Sequence, residues 1–147
     1  MERWTEVNKG MIPNGNYLMH LQCGNAKNFT VFLESDKFEI TLEFSRAMSF
    51  HCVDESRWLF LPYDMEAFSY YQKKKFDNVL YRIHGGEYFS FSKKYVEESF
   101  KDKRVIHYIL VILNYFLEVI NLGVINVTVK NLETGESQKY VVDGTEG

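Results

Sequence analysis

Residues 105–122 read VIHYILVILNYFLEVINL, and the reading of this stretch decides the fold. Fourteen of the eighteen residues are apolar, and no other segment of the chain can bury so much surface. Its length is close to the ~20 residues that span a bilayer. However, His107, Asn114, Glu118 and Asn121 interrupt it, and an ionisable group in hydrocarbon is costly. The stretch therefore reads as a core element, not a membrane span. Its polar residues fall at steps of seven, four and three, which places them on one side of a helix, with Gly123 suited to the left-handed position that follows a helix end. Against the helix, seven residues are Val or Ile and three are Tyr or Phe, which is a strand composition. Asn114 then marks a turn between two buried strands, 105–112 and 115–121. The composition favours the hairpin, and the helix stands as the alternative. In the hairpin, His107 and Glu118 lie on opposing strands and are expected to form a buried acid–imidazole pair.

Around this centre the other segments alternate. Phe38 to Phe44 is the clearest, with Phe38, Ile40, Leu42 and Phe44 on one side and Glu39, Thr41 and Glu43 on the other. A sheet with one wet face collects such residues; a helix scatters them. Tyr17–Cys23, Phe29–Leu33, Ala47–Val53, Trp58–Leu61, Val124–Val129 and Lys139–Val142 read as further strands. Gly85-Gly86 between Asn78–His84 and Glu87–Ser92 has the signature of a tight hairpin. Residues 63–77 read as a short helix or a loop, Lys93–Phe100 as a short helix, and residues 1–16 as irregular, with Trp4 packed back on the body. Together these predict a mainly antiparallel β protein with minor helix (α+β at most). Its expected form is a sandwich or a partly closed barrel in one domain over 1–147.

Composition narrows function. There are 20 acidic and 17 basic residues, a net charge of −3, so no general basic face is expected for nucleic acid. Lys73-Lys74-Lys75 beside Tyr70 and Tyr71 has a single-strand-binding flavour, but reads better as a solvated face. The first residues lack the pattern of a secretory signal, which predicts a cytoplasmic protein. Cys23 and Cys52 sit in apolar runs and read as buried free thiols. His20, Cys23, His51 and Cys52 supply four soft ligands that invite a zinc test. In strands, however, His20 and Cys23 face apart, as do His51 and Cys52, whereas zinc needs convergence. His84 beside the glycines reads as a turn residue. Ser49, Ser56 and Ser90 lie in no nucleophile-elbow context. No cofactor, metal or catalytic set is expected.

The run FEITLEF, the strand after it, the acidic loop Asp54-Glu55-Ser56, and later YVEESFKDKRVIHYILVILNYFLEVI together resemble small β-rich bacterial proteins. Some of these are immunity proteins that neutralise a toxin. The resemblance covers about 80 residues from Phe38 and carries no site motif. It implies a bacterial, cytosolic, non-enzymatic role. Protein binding is therefore the first expectation, with Glu39, Glu43, Asp54 and Glu55 as an acidic strip to meet a basic partner. A small ligand inside an aromatic-lined barrel is the second. An enzyme using His20, His51, His84 or His107 with a carboxylate or thiol is the third.

Overall fold

In the computed structural model the described residues are 3–24, 28–54, 78–84, 105–113 and 115–143. They form ten strands: β1 (Arg3–Glu6), β2 (Leu18–Gln22), β3 (Phe29–Glu34), β4 (Phe38–Phe44), β5 (Ala47–Asp54), β6 (Leu80–His84), β7 (Val105–Val111), β8 (Tyr115–Leu122), β9 (Ile125–Asn131) and β10 (Ser137–Val142). All pairings are antiparallel. Sheet I has the order β1-β6-β7-β8-β5 and sheet II the order β10-β9-β4-β3-β2. The two sheets pack as a sandwich, and no helix and no closed barrel occur among the described residues. No described helix is long and apolar enough to cross a membrane.

The decisive stretch is the hairpin β7–β8. Val111 stands opposite Phe116, and the Ile112 amide donates to the Tyr115 carbonyl at 3.0 Å, so the chain reverses between them. Both strands are buried on both faces. That explains why the sequence shows a near-continuous apolar run where β4 alternates. The inward face carries Ile106, Tyr108, Leu110, Leu117 and Val119. These meet Val31, Ile40, Leu42 and Phe44 of sheet II. Ring contacts tie the layers: Phe44 to Tyr108 at 6.4 Å and Phe29 to Phe50 at 4.8 Å. Truncating a fully buried aliphatic such as Leu42 to Ala should cost about 2–5 kcal/mol. The outward face of sheet I is apolar as well, with Trp4, Tyr81, Ile109, Phe116 and Ile120 buried there.

The chain passes between the sheets from β1 to β2, and twice more at one corner. Ser45-Arg46 joins β4 to β5, and Gly123-Val124 joins β8 to β9. Because β4 pairs with β9 and β5 with β8, a two-stranded ribbon runs through sheet II, bends, and continues in sheet I. Such bends are how strands switch layers. The bend is tied by hydrogen bonds from both backbone and side chains. The Ser45 amide donates to the Val124 carbonyl (3.0 Å), the Leu122 amide to the Arg46 carbonyl (2.8 Å), the Ser45 hydroxyl to the Leu122 carbonyl (2.8 Å), and the Arg46 amide to Asn121 Oδ1 (3.1 Å). The fully buried Asn121 also donates through Nδ2 to the Val124 carbonyl at 3.2 Å. A bulge between Ala47 and Ser49 adds the extra twist. Gly123 has φ +100°, and a Cβ there would lie 2.5 Å from Ser45 Oγ. Its positive φ, read from sequence as a helix end, belongs to this corner.

Two segments differ from expectation. Arg3–Glu6 is a strand, paired with β6 from Arg3↔His84 to Glu6↔Tyr81; Trp4 packs on Tyr81 at 5.7 Å. The rest of the N-terminal segment contributes Val7, Met11, Ile12 and Tyr17 to the core. Second, β6 lies between β1 and β7 with both edges paired. Gly85-Gly86, and with them the hairpin expected there, lie outside the described residues. The segments 58–61, 63–77, 87–92 and 93–100, with Lys73 to Lys75, lie outside the described residues. β9 and β10 form the expected final hairpin. There Asn131 Oδ1 accepts from the Glu133 and Thr134 amides, an Asx turn.

Candidate functional site

Three polar side chains meet on the outward face of sheet I. Register explains how. Glu118 of the central strand β8 stands directly opposite His51 on β5 and Ile109 on β7. His107 stands opposite Ile120, one diagonal step from Glu118 and within side-chain reach. His107 Nε2 lies 2.9 Å from Glu118 Oε1, and His51 Nδ1 lies 3.4 Å from Glu118 Oε2. Glu118 and His107 are buried at 1% side-chain exposure each, while His51 is 44% exposed. A buried carboxylate is tolerated only when paired and hydrogen-bonded. The His107 imidazole hydrogen-bonds Glu118 Oε1, and His51 stands beside Oε2 without hydrogen-bonding it, so the three side chains span β5, β8 and β7 across the sheet. The His107–Glu118 pair is the one expected from sequence. His51 was not expected there, because its meeting with Glu118 depends on the register of strands 67 residues apart.

The ligands considered for zinc are dispersed. His51 turns outward to Glu118, whereas Cys52 turns toward the gap between the sheets and lines a cleft there. His20 is on the exterior of sheet II, 3.8 Å from Glu34. Among the described residues no three His, Cys, Asp or Glu gather as a metal ion requires. Both cysteines are free, and both are exposed, which corrects the buried-thiol expectation. Alternation assigned them the inward direction. But β5 is the edge of sheet I, and Cys23 follows directly on β2, the edge of sheet II, where the inward side is not covered. The Cys52 thiol, at the cleft wall, is partly buried, and this pushes its pKa up although the residue as a whole is exposed. His84 Nε2 lies 3.2 Å from Thr5 Oγ1 across the β1–β6 ladder.

The acidic strip is divided. Glu39 and Glu43 are exposed on the exterior of sheet II. Asp54 ends β5 in sheet I, opposite Tyr115, and Glu55 lies outside the described residues. The structure adds Glu34, cross-strand from Glu39. Strands β2, β3 and β4 read LMHLQ, FTVFLE and FEITLEF, with three Glu and neither Lys nor Arg. The first strand lysine on this exterior is Lys130 of β9, opposite Glu39.

A cleft opens at the edge of the sandwich, beside β2. It holds about 440 Å³, with Tyr17 to Leu21 on one side and Cys52, Ile112, Leu113 and Tyr115 on the other. Exposed Leu18, Leu113 and Tyr115 form its rim. A second cleft, about 340 Å³, continues toward the corner between Cys23, Phe29, Met48 and Phe50. Sequence alone did not reveal these clefts, since they arise from two sheet edges that are distant in the chain. The chain matches no protein-family model, no curated protein and no solved structure.

Proposed function

We propose that the chain is a non-enzymatic protein-binding module, of the toxin-neutralising kind its sequence resembles, acting in the bacterial cytoplasm. One observation carries the reading. Leu18, Leu113 and Tyr115 stand exposed around an apolar cleft, beside the part of the sheet II exterior formed by β2, β3 and β4, which bear Glu34, Glu39 and Glu43 without Lys or Arg. Grouped exposed apolar side chains mark interaction sites. Aromatic anchors give affinity, and one-signed charge nearby selects a partner of opposite sign and speeds its approach. The partner expected is a basic protein.

The test uses the tagged full chain and lysate of the source cells. One stoichiometric basic partner should be retained, and Glu39→Lys with Glu43→Lys should weaken retention while the unfolding midpoint stays in place. Retention that ignores these charges would count against this surface. Absence of any partner would count against the reading itself. A small apolar ligand in the same cleft is the second reading, favoured by a volume in the ordinary range for ligand sites. A thermal shift with apolar metabolites, lost in Leu21→Lys, would support it.

A further inference from the structure

β2 is an edge strand of a particular kind. It pairs with β3 on one side only, and its other row of amides and carbonyls meets no backbone group among the described residues. Natural sheets guard such edges with Lys, Pro or a bulge. The opposite edge of sheet II, β10, carries Lys139 in mid-strand. β2, Leu-Met-His-Leu-Gln, has no Lys and no Pro, and its pairing with β3 runs without a register shift. Instead it borders the apolar cleft, into which Met19 and Leu21 face.

We propose that β2 receives an extended segment of a partner protein as an added strand of sheet II. Its alternate side chains are apolar toward the cleft and basic over Glu34. The inference rests on the protein-binding reading above and names its contact. Each part of the occupant follows from what it must meet. A row of unpaired N–H and C=O groups at strand spacing is completed by another strand. In that strand, side chains alternate between faces. One set enters between Met19 and Leu21 and the far wall at Cys52, Ile112 and Leu113. The other set lies on the exterior beside Leu18, His20 and Gln22, with Glu34 opposite Leu18, Glu39 opposite Glu34 and Glu43 two strands away. Carboxylates on that exterior call for Lys or Arg. The β2 edge of a second copy offers no such complement, since it carries neither Lys nor Arg and would bring the same carboxylates with it.

The probe is a displayed library of random nine-residue peptides selected on the full chain. Enriched peptides should alternate apolar residues with Lys or Arg. A synthetic consensus peptide should slow amide exchange at Leu18–Gln22 at least tenfold, and Glu34→Lys should weaken its binding about tenfold. N-methylating alternate amides should abolish binding along one edge of the peptide and leave it intact along the other, a readout that leaves the protein unaltered. Enriched peptides without alternation, or N-methylation felt equally on both edges, would overturn the inference. Protection found on another surface would overturn it while sparing the protein-binding reading. The same holds if no peptide is selected yet an intact partner is retained. With neither peptide nor partner, both fall. Protection of β2 that rises with protein concentration alone would assign the edge to self-association and overturn the inference as well.

Discussion

Removing His107 or Glu118 should damage the fold far more than removing His51, although all three share one contact network. Glu118 and His107 are each 1% exposed and 2.9 Å apart, so truncating either leaves its buried partner short of a contact. Breaking a buried pair from one side costs about 3–5 kcal/mol, a large fraction of the ~5–15 kcal/mol that holds a domain. His51 is 44% exposed and 3.4 Å from Glu118. Pairs of that kind contribute about 0–1 kcal/mol. The assay is a pair of double-mutant cycles built from His107→Ala, His51→Ala and Glu118→Ala, read by urea unfolding at fixed pH. The His107–Glu118 coupling should be about 2 kcal/mol, within the usual range for contacting residues, and the His51–Glu118 coupling below about 1 kcal/mol. Replacing His107 and Glu118 together by Leu should recover most of the loss, because an apolar pair carries no desolvation cost. Equal couplings, or a His107→Ala variant within about 1 kcal/mol of the parent, would refute the reasoning that burial sets the value of this bridge.

Gly123→Ala should destabilise by about 1–2 kcal/mol from the positive φ alone, and by more through the 2.5 Å approach to Ser45 Oγ; adding Ser45→Ala should return part of that second share, as measured by the unfolding midpoint. Burial pushes the Tyr17 phenol up to about 12 from 10, and its hydroxyl donates to the Pro13 carbonyl, so the fold favours the neutral form. The associated stability is complete below pH 10 and falls away as pH rises from 10 through 12, by about 3 kcal/mol at most; Tyr17→Phe should flatten that decline in urea titrations at high pH. Cys23 and Cys52 should both react with a thiol reagent in the native protein, Cys52 more slowly at neutral pH because less of it is thiolate. Two protected thiols would contradict the exposed placement.

The parts of the fold readable from sequence are those in which periodicity reports burial directly. The alternation of Phe38 to Phe44 located β4, and the β-branched run around Asn114 located β7 and β8. With strands came the His107–Glu118 pair, since a tight reversal sets the register across it. What local pattern does not carry is a strand's place in its sheet. Arg-Trp-Thr-Glu is too short to show a period, so β1 reads as irregular. Gly85-Gly86 signals a turn without showing that both edges of β6 belong to β1 and β7. Cys52 alternates inward correctly, yet is exposed because β5 is an edge. The same gap hid the cleft and the approach of His51 to Glu118, both products of long-range register. Glu39 and Glu43 were readable as exposed residues of one strand, but Asp54, read as part of a loop, ends a strand of the other sheet.

The corner at Ser45 and Gly123 makes each sheet a lever for the other. β5 runs eight residues from it, roughly 26 Å at ~3.3 Å per residue, and the larger cleft lies near the far end of that arm, by Cys52 and Tyr115. A change of about 5° in the bend would therefore shift the cleft wall by roughly 2 Å over that length, which is the difference between admitting and refusing a side chain. The hydrogen bonds of the corner and one residue without a Cβ therefore bear on an opening that they do not line.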